Sequence, residues 1–106
     1  MFDALEISLQ YLEKLTPVEA KIRRHSAGLA KQLAEASDSI ALNLGEGRLR
    51  RAGDRRHHYD IAAGSASEAT VALRVAVARG LVTRDDVLEV EALLDRVRAM
   101  LFRLTR

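Results

Sequence analysis

Two groups of residues in this chain have the types and spacing to do chemistry. Arg48, Arg50, Arg51, Arg55 and Arg56 fall within nine residues, are followed by His57 and His58, and have Asp54 as the only acid among them. Guanidiniums at that density can grip phosphates bidentately, and a helix start beside them would add to the positive potential. The other group is Ser39, Asn43 and Glu46, whose three- and four-residue spacing puts them on one helix face. A plain structural use is a polar cluster that satisfies helix ends, with Glu46 paired to an arginine of the next turn such as Arg50. Glu46 with His57 or His58 as a metal or acid–base site lacks a third ligand at any recognised spacing. Ser65 and Ser67 have no adjacent base in a nucleophile motif. The expectation is therefore a protein that is not an enzyme, with no metal and no cofactor.

The arginine cluster has two readings on sequence alone. It binds RNA or DNA phosphates, or it is a solvated basic turn partly paired with Glu46, Asp54 or Asp60. Tyr59 is the only aromatic nearby, so a row of stacked bases is not available. The same surface would also suit an acidic protein face. The formal charge of +2 does not decide, because it is the local distribution that matters.

The elements that must position these residues are helices. The chain of 106 residues has one Pro, six Gly and no Cys, and is rich in Ala, Leu, Arg and Glu. That fits a single domain over 1–106, with no disulfide framework and no thiolate metal site. The N-terminal segment has neither the basic nor the apolar region of a signal peptide, and no uncharged run approaches a membrane span. A cytoplasmic location away from membranes is expected.

Four helices are predicted, at about 2–15, 17–45, 55–79 and 84–104. Phe2, Leu5, Leu9 and Leu12 make the first apolar stripe. Thr16-Pro17-Val18-Glu19 reads as a fresh start, with Thr16 as N-cap and Pro17 at the first helical position. The second stripe runs Val18, Ile22, His25, Leu29, Leu33, Ala36, Ile40 and Leu44, which makes His25 a partly buried histidine. Gly47 is predicted to stop that helix, Asp54 to cap the third and Gly80 to end it. Thr83 and Asp86 start the fourth, whose stripe is Val87, Val90, Leu94, Val97, Leu101 and Leu104. Short connections predict an antiparallel up-down-up-down four-helix bundle, an all-α fold. Between Ile61 and Ala78 the only charges are Glu68 and Arg74, so the third helix needs cover on more than one side. Glu68 must then be paired or lie at a subunit boundary.

The pattern Leu29-x-x-Gln32-Leu33-x-x-Ala36-x-x-Ser39-Ile40-x-x-Asn43-x-x-Glu46-Gly47, then Arg50, then Tyr59-x-x-Ala62-x-Gly64-Ser65-x-x-Glu68 resembles one family. These are the small bacterial four-helix-bundle proteins named for open reading frames in 23S ribosomal RNA intervening sequences. That family is itself similar to the accessory variability determinant proteins of diversity-generating retroelements. The resemblance implies a ring-like homopentamer with a positive surface and no established enzymatic activity. Through the retroelement relatives it also implies nucleic acid and a reverse transcriptase as partners. The chain departs from the pattern at Leu44-Gly45, at Arg55 and His58, in a turn one residue short before the third helix, and in a short first helix.

Overall fold

The apolar spacing of α1, Ala4–Arg23, explains its length: Ala4, Ile7, Tyr11, Leu15, Val18 and Ile22 are all buried and recur every three or four residues. That stripe runs straight through Thr16 and Pro17, and the predicted break there does not occur. Both residues face outward, and the Thr16 hydroxyl donates to the Leu12 carbonyl at 3.0 Å. The carbonyl that Pro17 leaves without a partner is that of Glu13, an exposed residue, so solvent can serve it. Burying Val18 and Ile22 on the same face, roughly 1.5–3 kcal/mol each, outweighs a local capping signal. The predicted stripe of Leu5, Leu9 and Leu12 is displaced as well. Leu9 is 41% exposed, while Tyr11 is fully buried and shares a 2.8 Å hydrogen bond with Ser37. Burial pushes the Tyr11 hydroxyl well above the usual phenol range.

The computed structural model describes residues 3–106, so Phe2 lies outside the described residues. The turn out of α1 falls at Arg24–Ser26, about ten residues later than the sequence indicates. There Ser26 caps α2, Ala27–Arg48, by accepting from the Leu29 N–H at 3.2 Å. His25 sits in this turn and is exposed, not part of a buried stripe. Of the rest of the predicted stripe, Leu33, Ala36, Ile40 and Leu44 are buried, Leu29 is half-buried, and Val18 and Ile22 belong to α1.

Gly47 does not stop α2 as predicted. It lies inside the last turn, and a Cβ built there would be 2.5 Å from Cε1 of Tyr59. Its role is to let the α3 tyrosine press against the α2 backbone. α3 spans Ala52–Ala78, with Arg51 at the N-cap position and no side-chain cap bond; Asp54 lies within the first turn and is not the cap. The other end of α3 closes as predicted. Gly80 has φ +72°, its N–H bonds the Val77 carbonyl at 3.0 Å, and the Leu81 N–H reaches the Ala76 carbonyl at 2.9 Å. Thr83 and Asp86 then form a reciprocal capping box at the start of α4, Arg84–Leu104. Val87, Val90, Leu94, Val97 and Leu101 are buried, but Leu104 is 46% exposed.

Each helix packs against two others, in the order α1·α2, α2·α3, α3·α4 and α4·α1, and no strand occurs among the described residues. The start of α1 lies beside the end of α2 through Asp3 and Arg48. The end of α1 lies beside the start of α4 through Lys21 and Asp86. α3 is long and apolar enough to cross a membrane by length and composition, yet only 33% of that window is buried. Its outer face, with Ile61 39% and Val71 58% exposed, is open in the single chain.

Candidate nucleic-acid interface

The arginine cluster occupies the join of two helices, from the last turn of α2 to the first turn of α3, and all five side chains are exposed. Three carry ion pairs: Arg48 with Asp3 at 3.2 Å, Arg50 with Glu46 at 2.6 Å and Arg56 with Asp60 at 3.9 Å. The hydrogen bond and charge of Arg50 hold the Glu46 carboxyl below its ordinary range, and Glu46 raises Arg50 in return. Exposed pairs of this kind hold weakly in water, so a phosphate can displace the carboxylate at little cost. Arg51 makes no ion pair among the described residues.

Arg55 works differently from its neighbours. Its Nε donates to the carbonyls of Gly47 at 3.2 Å and Arg50 at 3.1 Å. The Gly47 carbonyl is at the negative end of α2 and the Arg50 carbonyl lies just beyond it, so the guanidinium side chain caps that helix while projecting from the first turn of α3. The α3 start is open in the opposite sense. α1, α2 and α4 each have a side-chain oxygen, from Asp3, Ser26 and Thr83, accepting a first-turn N–H, and α3 has none. Its first-turn amides are left for solvent or an anion.

Behind the cluster runs a hydrogen-bonded ladder between α2 and α3. Ser65 Oγ donates to Ser39 Oγ at 2.8 Å. Asn43 Nδ2 donates to Ser39 O at 2.9 Å and to Ser39 Oγ at 3.1 Å. With its amide nitrogen thus engaged, Asn43 offers Oδ1 to His58 Nδ1 at 2.9 Å. The proton of neutral His58 therefore resides on Nδ1, which leaves Nε2 as the free acceptor. Ser39 and Asn43 lie on this ladder, whereas Glu46 and Glu68, grouped with them on sequence, do not. Glu46 turns to Arg50. Glu68 is exposed and makes no ion pair among the described residues. It lines an open groove of about 910 Å³ between α2 and α3, together with Gln32, Glu35, Ser39, Ser65 and Val71.

His58 and Ser65 are the members that spacing did not reveal. Asn43 and His58 are 15 residues apart and Ser39 and Ser65 are 26 apart. Those separations mean nothing until the turn geometry is known.

Known proteins give the following comparison. The fold is similar to the crystal structure of a protein of unknown function from the S23 ribosomal protein family of Bacteroides thetaiotaomicron VPI-5482. The TM-score is 0.89 over 97% of this chain and 98% of that one, at 16% identity, which speaks for the fold alone. Among curated proteins none matches the chain. The motif residues of α2 and α3 lie within the 3–103 span matched by the family model, and on that match the chain belongs to the 23S rRNA-intervening sequence protein family.

Proposed function

We propose that this protein is a non-enzymatic, oligomeric nucleic-acid-binding bundle that holds RNA or DNA phosphates at the α2–α3 join. The single observation that carries this reading is the coincidence of Arg48, Arg50, Arg51 and Arg56 with an α3 start that has no side-chain cap. The guanidiniums supply charge and the first-turn amides supply directed donors. The family name, which refers to 23S rRNA, supports RNA as the first ligand to try. The four helices run antiparallel in this reading, supported by the Asp3–Arg48, Lys21–Asp86 and Ser39–Ser65 contacts. Protomers close into a ring, a homopentamer by family likeness, because the outer face of α3 is apolar and open. The ring would gather several arginine turns on one particle, in the cytoplasm.

The test is a binding titration with single-stranded RNA and DNA across salt. Four phosphate contacts at about 0.7 each give a loss of roughly 50-fold between 50 and 200 mM salt. Replacement of Arg48, Arg50, Arg51 and Arg56 by alanine should flatten that dependence. Binding that ignores salt, or survives the four replacements, defeats the proposal.

A second reading is favoured by the open α2–α3 groove: an adaptor for a protein partner, such as a reverse transcriptase encoded nearby. Isolation of such a partner with the wild-type chain, and its loss on Val71→Asp but not on replacement of the arginines, would select this reading.

A further inference from the structure

Donors crowd the α2–α3 join, and one group there has the opposite polarity. Guanidiniums and first-turn amides only donate, whereas Nε2 of neutral His58 only accepts. Its orientation is fixed by a chain of bonds that begins at a backbone carbonyl. The Ser39 carbonyl can only accept, so the Asn43 amide nitrogen is the atom that meets it, at 2.9 Å. Asn43 Oδ1 then faces His58, and Nδ1, which meets it at 2.9 Å, carries the ring proton. Ser39 Oγ is held in turn by Ser65 at 2.8 Å. No buried side-chain nitrogen or oxygen among the described residues lacks a hydrogen-bond partner, and Nε2 of half-buried His58 has none within the chain. That nitrogen therefore opens to solvent.

Its place is beside the arginines. Arg55 reaches the Gly47 carbonyl and His58 reaches Asn43, one turn back along α2, so guanidinium and imidazole stand one turn apart on the same side of α3. Arg50 and its partner Glu46 continue the Asn43 face of α2. A phosphate gives a neutral acceptor nothing to bind, but the sugar beside it does when that sugar is ribose. Taking the proposed phosphate site as given, we infer that Nε2 of His58 accepts a hydrogen bond from a ribose 2′-hydroxyl, which makes the join select RNA over DNA. The 2′-hydroxyl is joined to the carbon next to the phosphodiester, so it follows a held phosphate whatever the base sequence. The carboxylates at the join, Glu46, Asp54 and Asp60, also accept, but they repel the strand that the guanidiniums draw in. The neutral imidazole does not. His57 lies edge-on to His58 with ring centres 5.8 Å apart, and no hydrogen bond among the described residues fixes its tautomer. Asn43 is thus a positioning residue and His58 the one that reads the sugar.

The experiment titrates the full chain with three short single strands of one sequence: RNA, DNA and 2′-fluoro RNA, which keeps the ribose pucker and lacks the hydroxyl proton. RNA should bind about five-fold tighter than either of the others, the net effect of one hydrogen bond. His58→Phe should bring the three strands level and leave the salt response, which belongs to the arginines, unchanged. That variant strands Asn43 Oδ1, so the double variant His58→Phe with Asn43→Leu is measured beside it, with circular dichroism to check that both remain helical. Equal binding of the three strands by wild type, salt response intact, overturns the inference and leaves the nucleic-acid reading standing; a base amino group as the donor would give the same result. A preference for RNA that survives in the double variant overturns the assignment to His58. Binding of no strand at all overturns both. The tautomer has its own test: nitrogen-15 spectra of the free protein in mildly alkaline solution, where imidazoles are neutral, should place the His58 proton on Nδ1. A proton on Nε2 overturns the inference.

Discussion

The two ends of α3 are built on opposite rules. At its C-terminal end the turn is closed from within: Gly80 takes a left-handed conformation, backbone bonds from Gly80 and Leu81 close the last turn, and Thr83 and Asp86 cap the next helix reciprocally. At its N-terminal end Arg51 stands where a cap belongs, and five arginines crowd a join with no reciprocal closure. One end is closed by backbone bonds to the carbonyls of Val75, Ala76 and Val77; the other has first-turn amides with no side-chain acceptor. Local hydrogen bonding thus separates the turn that closes on itself from the turn to which the proposed function assigns a ligand.

The strongest way to break this comparison is to move the charge. Alanine at Arg48, Arg50, Arg51 and Arg56 should remove the roughly 50-fold salt response of single-strand binding between 50 and 200 mM. Alanine at Arg79 and Arg84, at the closed end, should change affinity little in the same titration.

Both ends also depend on a glycine, for different reasons. Gly47→Ala forces a methyl into the Tyr59 ring and should cost about 1–3 kcal/mol in chemical denaturation. Gly80→Ala meets no neighbour within 4 Å but must hold φ +72°, which costs about 1–2 kcal/mol. Shortening Tyr59 to Leu should relieve the first loss and leave the second untouched.

A smaller effect comes from exchanging caps. Thr83→Ala should lose about 1 kcal/mol. Arg51→Ser should gain a few tenths to about 1 kcal/mol by capping α3, and at the same time weaken nucleic-acid binding. A variant that is at once more stable and a poorer binder is the outcome that sharpens the contrast most.

The smallest effect is in acid. Hydrogen bonds from Lys21 and from the Thr83 backbone bring the Asp86 carboxyl down to about 2. Its folded value is below the unfolded one of about 3.9, so the stabilisation is complete above that value and is lost as pH falls toward 2. Asp86→Asn should flatten that part of the stability curve. Glu19 runs the other way: burial, then the nearby charge of Asp38, raises its carboxyl. Its contribution is complete below the unfolded value and fades as pH rises, so Glu19→Gln should stabilise slightly at neutral pH.

α4 and the end of α3 were legible from sequence because their signals are local and agree with one another. The Thr83–Asp86 box, the heptad stripe and Gly80 all point to the same boundaries. α1 was misread because two local signals, a Thr-x-x-Glu box and a proline suited to a helix start, opposed a longer-range one. The buried stripe through Val18 and Ile22 won, since burying both side chains, roughly 1.5–3 kcal/mol each, offsets the roughly 3 kcal/mol of an interior proline. The candidate site was half legible. Arginine density and the Ser39–Asn43 face show in the sequence, because both are matters of spacing along one helix. That Arg55 would cap α2, that Gly47 makes room for a ring, and that His58 would meet Asn43 depend on how α3 folds back on α2.

The proline in the middle of α1 has a kinetic consequence. Because Pro17 contributes no amide proton, the hydrogen-bonded ladder of α1 is interrupted between Thr16 and Val18. Solvent deuteration should find two stretches of the helix with separate opening free energies, and the stretch after Pro17 should be held by Val18, Ile22 and the Lys21–Asp86 tie to α4.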